Sequence, residues 1–144
     1  MQSKKGKKSW ADKRDEPKVH AVVKLEKAMP GLPAGTRLLI PTPLMVDSYV
    51  RKSKPGQFVT PLELRQLMAH DHGADHSCPL VTGIHLRIVA EAALDEIRAG
   101  ADPSQTAPFW RVIHPGTPLA KKLNNGLEIL TQLQTEEGIL PRKA

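Results

Sequence analysis

A single cysteine, Cys78, stands among 144 residues, so no internal disulfide framework is available and the chain fits a reducing, cytoplasmic compartment. Nor does any stretch approach the run of about 18 apolar residues that a membrane-crossing helix requires, so no membrane is expected as a partner. The N-terminus is basic but has no apolar h-region behind it, and therefore does not read as a secretory signal. With 40% hydrophobic and 25% charged residues, the length suits one domain large enough to bury a core.

What the chain has in excess is positive charge, +6 in all. Residues 1–27 hold nine Lys/Arg against four Asp/Glu, which accounts for +5 and leaves the other 117 residues nearly neutral. The basic character thus belongs to the N-terminal arm and says little about the folded body. Residues 1–18 contain Trp10 as their only large apolar group, too little to offset ordering entropy, and are predicted to be a disordered basic arm. Such an arm could follow phosphates or simply keep the chain soluble.

Beyond the arm, the pattern is mainly α with short strands. Residues 19–53 read as an N-terminal helical extension packed on the core: a short helix over 19–29, a Pro30-Gly31-Leu32-Pro33 breaker, and a helix opened by Thr42-Pro43. Residues 54–140 form the main unit. It begins with a strand candidate at Gln57-Phe58-Val59 and continues into a helix opened by the Thr60-Pro61-Leu62-Glu63 capping box and running to about His70. After a polar turn comes the longest helix, about residues 83–99, capped by Thr82. It is apolar around more than half its circumference, with a solvated stripe at Arg87, Glu91, Asp95 and Arg98. Phe109 to Ile113 reads as a strand, 117–123 as a basic irregular segment, and a last helix starts near Asn125-Gly126 and stops at Gly138. Two helices across a tight turn, then a strand, a loop and a helix, suggest a winged helix-turn-helix-like domain.

Three ordered segments carry a resemblance. Lys54-Pro55-Gly56-Gln57-Phe58-Val59-Thr60, Pro108-Phe109-Trp110-Arg111-Val112-Ile113, and Asn125-Gly126-Leu127 through Glu136-Glu137-Gly138-Ile139 resemble the DNA-binding domain of the methylguanine-DNA methyltransferases over roughly 85 residues. The family accepts an alkyl group on a cysteine thiolate activated by a neighbouring His, with a Glu behind it. Here the acceptor position is Phe109, the base position is Trp110, and Glu137 matches the triad Glu. Loss of the thiolate places the chain nearest in kind to the alkyltransferase-like proteins, DNA-repair proteins that bind alkylated DNA without catalysis. The resemblance implies a non-catalytic protein that binds duplex DNA, plain or alkylated, with no cofactor.

Carried over residue by residue, the DNA-binding candidates are Thr60, Gly83, His85, Arg87, Trp110, Arg111, Lys121, Lys122 and Asn124. Gly83 falls where the family inserts an arginine into the base stack, Pro61 where it has a tyrosine that rotates the nucleotide, and Leu123 and Asn124 where wing residues touch the base. These departures weaken base extrusion more than general duplex binding, which rests on charge and helix placement. The alternative is an interaction or regulatory protein of the same fold, with a protein partner, that has lost lesion recognition. Arg111 suits a phosphate contact or a bond to local carbonyls equally well, and Trp110 suits base stacking or the core. His70, His72, His76 and Cys78 are competent metal ligands, but their spacing fits no standard module, and a polar inter-helix turn is the preferred reading.

Overall fold

Thr-Pro pairs open three of the helices. The hydroxyls of Thr42, Thr60 and Thr117 accept the N–H groups of Met45, Glu63 and Ala120, and each following proline sits where a missing N–H costs nothing. The structure, a computed structural model, describes residues 8–139. Its elements run α1 (Trp10–Asp15), β1 (Ala21–Lys24), β2 (Arg37–Ile40), α2 (Pro43–Arg51), α3 (Pro61–Asp71), β3 (His76–Ser77), α4 (Pro79–Arg98), α5 (Pro118–Lys122) and α6 (Leu127–Glu137), with 3-10 turns at Pro103–Gln105 and Phe109–Arg111. The protein is therefore mainly α with short strands. Among the described residues no helix is long and apolar enough to cross a membrane.

The sheet has the order β1-β2-β3. β1 runs antiparallel to β2 with Val22 opposite Leu39, and β3 joins β2 in parallel with His76 opposite Leu38. α4 divides the interior. Leu86 and Val89 face one core with Leu39, Val46, Val50, Leu64 and Met68, while Ala90, Ala93 and Leu94 face another with Phe109, Trp110, Ala120 and Leu130. β2 and α2 thus share a core with α3 and α4. The long helix is packed on two sides, as its broad apolar surface predicts.

Several expectations give way. Trp10–Asp15 is a helix rather than disordered chain, because Ser9 and Asp12 form a reciprocal capping box and the helix packs on α4 and α2; residues 1–7 lie outside the described residues. The helix expected over 19–29 is instead strand β1. Val22 and Val23 are β-branched, and a run this short carries no period that separates strand from helix. Gln57-Phe58-Val59 makes no strand; the Gln57 N–H closes a turn onto the Lys54 carbonyl, and the Val59 N–H bonds the Arg111 carbonyl. α4 starts four residues earlier than expected, with Pro79 in its first turn and Thr82 buried inside it instead of capping it. Phe109–Arg111 is a 3-10 turn, which lets Phe109 and Trp110 both be buried, edge to face at 5.4 Å, where an alternating strand would separate them. Residues 118–122 form α5 rather than an irregular loop.

Candidate nucleic-acid interface

The first two turns of α4 leave apolar surface uncovered: Leu80 is 72% and Ile84 51% exposed. Gly83 and Arg87 lie on the same stripe, at the three- and four-residue spacing that aligns side chains along a helix. α1 borders this stripe on one side and α5 on the other. Together they form a groove of about 600 Å³ lined by Trp10 and Lys13 of α1, Leu80, Gly83, Ile84 and Arg87 of α4, and Leu119 and Lys122 of α5. Lys13 and Arg87 both lie over the Trp10 indole, at 4.4 and 5.2 Å from its centroid.

Arg87 also ties α4 to α5. Its Nη2 donates to the Lys122 carbonyl at 3.1 Å and its Nε to Glu91 at 3.4 Å. Glu91 is fully buried, contrary to the solvated position that its helical spacing suggests. Its carboxylate accepts the Asn124 backbone N–H at 3.1 Å, and the Arg98 guanidinium donates to the Asn124 carbonyl. A buried carboxylate survives because the Asn124 N–H and the Arg87 guanidinium meet it. The chain then turns through Asn125 at φ 50°, and Gly126 packs so closely that a Cβ there would lie 2.5 Å from a Leu94 methyl. Lys121, Lys122 and Asn124 are exposed on this held segment.

The structure brings Gly83, Arg87 and Lys122 into one groove, with Lys121 and Asn124 on the same segment as Lys122 but outside the groove lining; the other candidates lie elsewhere. Trp110 and Arg111 line a separate cavity of about 560 Å³ with Pro108 and Glu137. Arg111 donates through Nε and Nη2 to Glu137 at 2.9 and 2.7 Å and through Nη1 to the Ser53 carbonyl at 2.8 Å, so it is the local, structural arginine. Burial pushes the Glu137 carboxyl up, but Arg111 and the Gly56 N–H outweigh that and hold it below its ordinary range. Trp110 is a core residue, its carbonyl bonded by Gln134. Thr60 is spent as the N-cap of α3. The His85 ring is tied through Nε2 to the Pro41 carbonyl at 3.1 Å, its Nδ1 is buried without a partner, and burial lowers its pKa.

The histidine-rich turn is occupied by local bonding. His72 Nδ1 bonds the Met68 carbonyl at 2.9 Å and its ring stacks edge-on against His20 at 4.8 Å, while His70 is exposed and Cys78 buried. Tyr49 donates its hydroxyl to Asp71 at 2.7 Å; burial and that bond push the Tyr49 pKa up to about 12. Among the described residues no group of three or more His, Cys, Asp or Glu side chains is arranged to hold a metal ion.

Trp10 and Lys13 are the groove residues that sequence reasoning missed. The signal was the Ser9-x-x-Asp12 box, which marks a helix start inside a segment otherwise too polar to order. No family model matches this chain, and no curated protein and no solved structure matches it.

Proposed function

We propose that this chain is a non-catalytic, cytoplasmic protein that binds duplex DNA, in the manner of the alkyltransferase-like proteins it resembles. The observation that carries the reading is the convergence of Gly83, Arg87 and Lys122 on one groove, with Lys13 added from the N-terminal arm. In this reading α3 and α4 act as the two helices of a winged helix-turn-helix-like unit, and α5 with Asn124 stands in the place of the wing. Lys13, Lys121 and Lys122 meet phosphates, while Leu80 and Ile84 rest on the apolar parts of the groove floor. Phe109 supplies no nucleophile at the family's acceptor position, and its side chain is fully buried, so the role assigned is binding.

Fluorescence anisotropy with plain and methylguanine-containing duplexes over a salt series tests this. Binding that weakens steeply with salt is the expected result. Tighter binding to the methylguanine duplex supports lesion recognition, equal binding removes it, and no binding at low salt ends the DNA reading. The exposed Leu80 and Ile84 favour one second reading, an interaction protein whose groove takes a protein partner. It gains if the isolated protein ignores DNA.

A further inference from the structure

We infer that β1 is a self-docking edge, through which two copies of this chain pair antiparallel about Val22 and join their sheets. This is independent of DNA binding. β1 sits at the edge of the sheet, and all four of its residues are exposed. Leu25 turns both its N–H and its carbonyl toward the neighbouring strand segment, meeting Thr36 and Gly35 at 2.8 Å. The alternation of an antiparallel ladder therefore points Ala21 and Val23 inward to β2, and His20, Val22 and Lys24 outward. Among the described residues no backbone hydrogen bond reaches that outer edge. Val19 is 90% exposed, and Val22 and Val23 are each 41% exposed. An uncovered, valine-rich edge is a template for another strand.

The sequence fits a second copy of itself. Centred on Val22, the two edges exchange both hydrogen bonds between the Val22 residues and again between His20 and Lys24. Side chains then match: Val22 meets Val22, Ala21 meets Val23, and Val19 meets Leu25. At each end Lys18 meets Glu26, and the two-fold axis makes that pair twice. Centring on Ala21 instead sets Lys18 against Lys24, and centring on Val23 sets Val22 against Lys24 and Val19 against Lys27. Charge and apolar matching thus select one register of the three. Among the described residues of one copy, Lys18 pairs with the half-buried Glu16 at 3.1 Å, through an exposed ammonium that can exchange partners.

Sedimentation equilibrium over a concentration series tests the inference. The full chain is expected to show a monomer–dimer equilibrium. Val22→Pro removes an outward N–H without touching the bonds to β2, and should weaken association by about tenfold or more. Lys18→Glu should weaken it several-fold, and Lys18→Glu with Glu26→Lys should restore it, because the swapped charges face each other again. Circular dichroism confirms that each variant folds, and the charge pair decides the matter if Val22→Pro does not. A chain that stays monomeric at its highest soluble concentration overturns the inference. So does a dimer indifferent to the folded Val22→Pro variant, or one that the double charge reversal fails to restore.

Discussion

Arg111 and Glu137 close the C-terminal helix onto the rest of the chain: two guanidinium nitrogens meet the carboxylate at 2.9 and 2.7 Å across 26 residues of sequence. The same carboxylate takes the Gly56 N–H at 3.1 Å, and the same guanidinium reaches the Ser53 carbonyl at 2.8 Å. One ion pair therefore joins the lead-in to α3, the 3-10 turn and α6.

Removing Arg111 strands a largely buried carboxylate. Arg111→Ala is expected to cost about 3 kcal/mol of stability, read from urea unfolding, and Arg111→Lys to recover less than half, since an ammonium cannot match the two-pronged geometry. Affinity for DNA per folded molecule should stay unchanged, because Arg111 lies outside the groove.

The pair also sets the response to acid. A carboxyl held below its unfolded value adds stability that is fully present above that value and is lost as pH falls through the folded one. Melting temperature should therefore drop as pH falls below the ordinary Glu value of 4.5. Arg111→Met should lower the plateau and flatten the drop.

His85 predicts a second pH step. Burial lowers its pKa below the ordinary 6.5, so the folded state favours the neutral ring. Its stability contribution is complete above the unfolded value and is lost as pH falls from there through the folded value. Thermal melts from pH 7.5 to 5 should show this slope, and His85→Gln should remove it. An unchanged slope in the variant would assign the step to another group.

Glu91 holds the segment that carries Lys122 and Asn124. Glu91→Ala should cost about 2–4 kcal/mol by leaving the Asn124 N–H without its acceptor, while Glu91→Gln, which keeps an acceptor, should cost less. Amide exchange at residues 122–126 is the direct readout, with faster exchange expected in the alanine variant.

The groove makes its own forecast. Lys13→Ala and Lys122→Ala should each lower the salt slope of DNA binding by about one phosphate contact. Deleting residues 1–18 should cost more than the charge it removes, because α1 forms a wall of the groove. A deletion that leaves affinity intact would place the DNA contacts outside the groove.

Local chemical signals made α2, α3 and the end of α6 legible. Thr42-Pro43 and Thr60-Pro61 mark the two starts, and Gly138, with φ at 74°, ends α6 where the sequence places its stop. The same kind of signal at Thr117-Pro118 and at Ser9-x-x-Asp12 opens α5 and α1, but these are helices of five and six residues, too short to show a period. What the sequence hid was set by distant partners. Val22 and Val23 become a strand because β2 lies beside them. Glu91 looks solvated by spacing and is buried because the backbone of Asn124 arrives to meet it. The candidate site was legible in part: Gly83, Arg87 and Lys122 converge, whereas Trp110 and Arg111, both within the Pro108–Ile113 motif, are committed to the core and to Glu137.

α4 carries the groove on its outer surface and, along Ala90, Ala92 and Ala93, has no exposed area at all. Alanines make it a thin partition, and any sideways shift would compress one core while opening a void in the other. The helix that carries the groove is thus held in place by both cores just beyond the groove itself. Whatever docks there must do the bending, and adjustment on the protein's side falls to the side chains at the rim.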